Sequence, residues 1–329
     1  MGAARLTWGR FFGTWDVHVG WTVVVVVLLA AYLLARRAAG GRRTVRGWRT
    51  GCWVGGLVVL WVAVDSAIGA YAMALFWMHM VLHLLLIMVV PALLVLGSPA
   101  AVALEAFSGS RQDAARRVLR SAPMTVLTHQ ATGFVVYTAV IVGTHLTDFM
   151  DQMTLHPWLM TGEQVLYVVA GWLFLTPLIG EEPLRPNPPY LLRLLILVAA
   201  MIPDTLVGIV LLQANTDLFP TMMATHPAWA PDPVSDIQAA GGLMWAGGDG
   251  LMMAIAVGLM VSVITSPTRR ERMTGGWLEG ARRQTFAAHA AHAGLTARPE
   301  DEGREIDPDS DEALDAYNRM LAELSRREE

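Results

Sequence analysis

The sequence predicts an all-α polytopic membrane protein: seven transmembrane helices in a bundle, with the N-terminus outside and the C-terminus cytoplasmic. Three observations predict it. Of 329 residues, 54% are hydrophobic and only 16% charged, and the mean hydropathy of +0.44 exceeds that of ordinary soluble domains. Apolar stretches of about 20 residues, the length that crosses a hydrocarbon core of about 30 Å, recur seven times, at 17–35, 50–70, 73–97, 123–145, 158–179, 190–212 and 239–265. Arginines crowd alternate connections.

The first stretch, "VGWTVVVVVLLAAYLLARR", is longer than a signal-peptide core, has no small-x-small cleavage site and ends on a basic stop, so it is kept as a helix. The second contains Cys52, the single cysteine, which excludes internal disulfides and a CxxC metal clamp. Arginines fill the first connection ("RRAAGGRRTVRGWR"), the third ("SGSRQDAARRVLR"), the fifth (Arg185, Arg193) and the tail ("TRRERM"), whereas the second, fourth and sixth carry none. The positive-inside rule then sets the orientation, with Arg5 and Arg10 a small dissent. All 24 basic residues are arginine and the net charge is −4; nucleic acid is not implicated as a partner. The sixth connection, "QANTDLFPTMMATHPAWAPDPVSDIQ", reads as an ordered outer lid or docking loop. Residues 1–266 form the membrane domain, and 267–329 a cytoplasmic tail in which "DSDEALDAYNRMLAELSRREE" reads as an amphipathic helix behind a disordered hinge.

Ionisable residues inside membrane helices face a partner or a wet cavity. A rise of 1.5 Å per residue places His79 about 10 Å and His83 about 16 Å below the outer surface, Asp204 about 12 Å, Met244 about 7 Å and Asp249 about 15 Å. His145 and Asp65 fall at the outer mouth and Glu163 one turn inside it. His129 lies far from these, near the inner face, and reads as a hydrogen-bonded structural histidine. His79 and His83 are an i, i+4 pair, so both imidazoles project from one face and can share an ion. Met80 lies near that face, with Met73 two turns above it, and imidazole with thioether is a donor set that favours copper.

The ordered stretches "MHMVLHLLLIMVVPALLVLGSP", "PDTLVGIVLL" and "DIQAAGGLMW" resemble the signatures of the CtaG family of cytochrome c oxidase assembly factors, over about residues 50–265. The resemblance implies a polytopic protein of the bacterial plasma membrane, needed for maturation of haem-copper oxidases through delivery of copper. Its partners would be oxidase subunits and an extracytoplasmic copper donor, within the lipid bilayer. Residue by residue, His79 and His83 match the family's HxxxH, His145 the histidine ending the next helix, Asp204 the aspartate of the P-D motif, and Asp236, Gln238 and Met244 the D-x-Q and M-W positions. Two departures stand out: Gln164 follows Glu163 where a Glu-His pair is expected, and Asp249 occupies a usually small or apolar position. The expected metal site is thus His79, His83, His145, Met80 and Asp204, with Glu163, Asp236, Gln238, Met244 and Asp249 around it.

No nucleophile triad, phosphate loop or zinc-protease motif is present, so an enzyme is not expected. Two alternatives to copper delivery follow from the same residues. One is a haem-binding redox subunit with His79 or His83 as axial ligand, although histidines one turn apart on one helix cannot sandwich a haem. The other is a proton or ion transporter using Asp204 and Asp249, which lacks polar groups continuing into the inner leaflet.

Overall fold

The structure, a computed structural model, describes residues 4–40, 46–180, 188–224 and 226–265. The chain divides into two compact units, Met1–Gly258 and Leu259–Glu329; the first carries the fold, and the predicted tail helix lies outside the described residues. These form helices in the order α1 Trp8–Gly13, α2 Val19–Ala39, α3 Trp48–Asp65, α4 Ala67–Tyr71, α5 Phe76–Leu84, α6 Val90–Leu96, α7 Pro99–Ala106, α8 Ser110–Leu119, α9 Ala122–Leu127, α10 Gln130–His145, α11 Phe149–Leu155, α12 Trp158–Ile179, α13 Tyr190–Leu212, α14 Pro220–Met223 and α15 Pro233–Ile264. Among the described residues β structure is confined to one isolated bridge, Trp15 with Ser66.

Among the described residues, five helical stretches are long and apolar enough to cross a membrane: Val19–Ala39, Phe76–Ala106, Trp158–Ile179, Tyr190–Leu212 and Pro233–Ile264. A sixth results if α10 and α11, bent by 67° at a short break, count as one span. This is a multi-pass membrane protein. The expected second span is the 18-residue α3, which falls short of the same measure because Arg49 and Asp65 lie at its ends. Both are buried.

Three boundaries differ from the sequence reading, each for a local reason. The third stretch continues past Gly97 to Ala106, and its helical start is Phe76 rather than Met73, because Tyr71–Leu75 forms a turn in which the Tyr71 carbonyl accepts from both Ala74 N and Leu75 N. The fourth stretch is not continuous over 123–145. Thr128 turns its hydroxyl back to the Met124 carbonyl at 2.8 Å, α9 ends, and His129 restarts the chain as the N-cap of α10, its Nδ1 accepting from Ala131 N at 3.1 Å. The sixth connection contains the short α14, Pro220–Met223.

The long third span bends its hydrogen-bond ladder in the middle. Leu85–Val89 is a π-helical turn between α5 and α6. Pro91 supplies no N–H to the Ile87 carbonyl, and the widened turn absorbs the missing donor. There α12 comes so close that a Cβ on Gly171 would lie 2.0 Å from the Ile87 oxygen; only glycine fits. In lipid, where helices gain little by hiding apolar surface from one another, such close approaches and interhelical polar contacts hold a bundle together. Tyr32 stacks on Trp53 at 5.0 Å and donates to the Gly97 carbonyl at 2.9 Å, tying α2 to α3 and to the α6–α7 junction. The outward faces of α2 and α13 keep Val24, Val27, Leu34, Leu195 and Ile202 exposed, as lipid-facing surfaces do.

Candidate metal centre

The helix bearing the two histidines begins without a cap of its own, since Leu75 at its N-cap offers no side-chain acceptor. The cap comes from the last long helix. Asp236 on α15, fully buried, accepts from Phe76 N at 2.8 Å and Trp77 N at 3.1 Å, and its Oδ2 also meets His226 Nε2 at 3.1 Å. A carboxylate on the orphan N–H groups of a helix start satisfies donors and complements the dipole together. It therefore fixes where α5 starts, and with that the height and direction of the imidazoles one and two turns further in.

Both imidazoles turn toward α12. His79 Nε2 lies 3.2 Å from Glu163 Oε2, and His83 Nε2 lies 3.2 Å from Glu163 Oε1. One carboxylate thus faces two histidines, an oxygen to each, and all three side chains are buried. The approach lacks hydrogen-bond alignment: both nitrogens of each ring and Glu163 Oε1 have no hydrogen-bond partner. Ligand atoms of the three residues lie within 4.8 Å of one another. An ion bonded tetrahedrally at about 2.0 Å holds neighbouring ligand atoms about 3.3 Å apart, so the two 3.2 Å separations suit ligand edges of a metal site. A buried carboxylate also needs a compensating cation, and among the described residues those nearest it are the two imidazoles.

The rings are held on their other faces. His83 stacks on Tyr167 at 4.0 Å and meets the His79 ring edge-on at 4.2 Å. Tyr167 also bonds Thr144 at 2.7 Å, and Thr144 donates to the Val140 carbonyl at 2.9 Å. Its hydroxyl proton committed there, Thr144 receives the Tyr167 proton. His145, at the end of α10, has its ring 5.2 Å from that of His83. Its Nδ1 lies 2.9 Å from the Ile141 carbonyl, which only accepts, so Nδ1 carries the proton. Nε2 is then a bare lone pair, and it faces Met80 Sδ at 3.3 Å.

An aromatic lid covers the end of the site where α5 begins. Phe219, just before α14, packs on Phe76 at 5.0 Å, and Phe76 lies parallel to His79. Asp151 caps α14 from α11, accepting from Thr221 N at 3.0 Å and Met222 N at 3.2 Å. Beside it Trp229 packs against Tyr71 within the cluster of Ala67, Tyr71, Leu75 and Met78.

The remaining sequence-predicted residues sit elsewhere or serve structure. Asp204, 1% exposed, lies on α13 against the backbone of Gly248, where a Cβ would approach Oδ2 to 1.8 Å; Oδ2 has no hydrogen-bond partner. Asp249 accepts from Thr205 at 2.8 Å. This carboxylate pair on α13 and α15 is not among the His79, His83 and Glu163 ligand atoms. Gln238 donates to the Ala214 carbonyl at 2.9 Å, Met244 is buried, and Asp65 caps α2, accepting from His18 N at 3.0 Å and Thr22 at 3.1 Å. Gln164, at the expected Glu-His position, accepts from Trp21 Nε1 at 2.8 Å and so holds α2 rather than facing the histidines. Sequence reasoning set Glu163 on the periphery and missed His226 altogether. Helix starts supply the signal for Glu163: it is in the second turn of α12, as His79 is in the first of α5.

Residues 26–266 match the family described as cytochrome c oxidase caa3 assembly factor (Caa3_CtaG). Similar curated proteins include uncharacterised proteins of Mycobacterium bovis and Mycobacterium tuberculosis, each 28% identical over 297 residues, 87% of this chain and 41% of the relative. One from Mycobacterium leprae is 26% identical over 296 residues, with the same shares. The chain thus spans about two fifths of the length of these relatives. No solved structure is significantly similar. With most of its membrane helices inside the matched segment, the chain belongs to the family of cytochrome c oxidase caa3 assembly factors.

Proposed function

We propose that the protein binds copper in the outer half of the bacterial plasma membrane and hands it to a haem-copper cytochrome c oxidase during assembly, without catalysing a reaction. Copper is cargo. The observation that carries this reading is the Glu163 carboxylate facing His79 and His83 at 3.2 Å each, buried and without hydrogen-bond alignment. Two neutral imidazoles and one carboxylate bind a borderline cation while leaving positions open. Such a set exchanges ligands more readily than a closed thiolate cage, which delivery requires. Haem ligation is disfavoured because both imidazoles are turned to one carboxylate, with Tyr167 stacked on the face of one of them.

The same reading takes α3 as a seventh span, the N-terminus as outside, and the lid as the side on which a copper donor and the oxidase subunits dock. Arginine placement supports the orientation.

The test is direct. Purified protein should retain about one copper ion at this triad and show no Soret band, and the H79A/H83A double variant should lose that ion. In cells limited for copper the same variant should accumulate normally while oxidase activity falls. Normal oxidase maturation in that strain would overturn the reading.

A further inference from the structure

The donors around His83 separate into two sets, and the second has its own chemistry. We propose that Met80 and His145 form a distinct site for Cu(I), next to the His79–His83–Glu163 triad but not part of it. The inference rests on the copper-binding reading above and adds to it where a cuprous ion sits.

His145 Nδ1 is committed to the Ile141 carbonyl at 2.9 Å, so Nε2 presents a lone pair, and thioether sulfur carries no hydrogen. Two electron-pair donors therefore face each other at 3.3 Å with nothing to bridge them. A cation that accepts from both turns that contact into two bonds. The carbonyl behind the imidazole is the support that metal-binding histidines commonly have, fixing the tautomer and the ring direction.

Ligands of one ion, bonded at about 2.0 Å for nitrogen and 2.3 Å for sulfur, lie no more than about 4.3 Å apart. His145 does not join the three residues whose ligand atoms come within 4.8 Å of one another, so one ion cannot use His145 and the whole triad. The His83 ring stands between, 4.2 Å from that of His79 and 5.2 Å from that of His145. An ion crossing from one set to the other would exchange His83 Nε2 for His145 Nε2, one bond breaking as one forms, with no electron transferred.

Imidazole and thioether are both neutral and the sulfur is soft, a pairing that selects Cu(I) over harder divalent ions, whereas the triad includes a carboxylate. Met80 and His145 are 1% and 3% exposed, which keeps water off an ion that prefers low coordination. At 3.3 Å the two bonds would meet at about 100°, and the flexible methionine can swing outward toward a linear arrangement.

The experiment titrates the purified full-length chain anaerobically with Cu(I) buffered by a chromophoric chelator, alongside X-ray absorption of the loaded protein. The wild type should take up two equivalents, with a sulfur neighbour near about 2.3 Å. Met80→Leu, a nearly volume-conserving change, should lose one equivalent and the sulfur signal. Its Co(II) binding at the triad and its melting temperature should stay unchanged. The H79A/E163Q variant should show the reverse, keeping the sulfur-bound equivalent. One equivalent without sulfur in the wild type would overturn the second site and leave the triad standing, and loss of all copper from a stably folded Met80→Leu protein would overturn the division into two sites. A wild type that binds no copper would overturn both.

Discussion

Glu163 is the residue on which the arrangement turns, because one side chain faces both histidines. Replacing it with glutamine keeps its size but removes the charge, and its amide N–H would bond an imidazole lone pair and compete with a metal for it. Glu163→Gln should weaken copper binding by at least about tenfold, read by chelator competition, with helix content unchanged. His129 provides the contrast. It caps α10 from outside the site, so His129→Ala should cost less than about 1 kcal/mol in stability and leave copper affinity unaltered. The pair His79 and His83 was legible in sequence, since i, i+4 spacing fixes a shared face. The place of Glu163 was not, because pairing across helices depends on where each helix begins, and the start of α5 is set by a residue on α15.

At the scale of elements, the recurring device is a helix start capped by a carboxylate from a distant part of the chain: Asp236 on α5, Asp65 on α2 and Asp151 on α14. Periodicity and hydropathy located the apolar cores of α12 and α13 to the residue, because local sequence alone decides those. They missed the break between α9 and α10, where Thr128 and His129 satisfy backbone groups with their own side chains inside an apolar run. Asp236→Ala strips two buried N–H groups of their acceptor and should lower stability by about 1–2 kcal/mol. It should also weaken copper binding although Asp236 is not a ligand; a thermal melt and a copper titration on one sample check both. Gly248→Ala should be worse tolerated than its size suggests. A methyl 1.8 Å from Asp204 Oδ2 forces α13 and α15 apart or turns the carboxylate away, at about 1–3 kcal/mol, seen as a lowered melting temperature.

For the whole molecule, alternating arginine content predicts a topology that labelling can test. In a Cys52→Ser background, Thr216→Cys should react with a membrane-impermeant maleimide on intact cells, and Ser110→Cys only after permeabilisation. The reverse pattern would put the lid and the triad on the cytoplasmic side. The multi-pass class was legible from composition because a hydrocarbon core imposes length and apolarity on every span. The reach of the cap on α5 has a further meaning in time. Asp236 is separated from Phe76 by 160 positions, and at roughly 5–20 residues per second the ribosome needs on the order of ten seconds or more to cover them. During that interval the nascent chain already displays His79 and His83 but has no frame to aim them. On the proposed function, metal that meets the chain in this interval would find two unaimed imidazoles, and the carrier would exist only once Asp236 is in place. A chain halted at Gln213 should accordingly contain every triad residue yet retain no copper through extraction and washing.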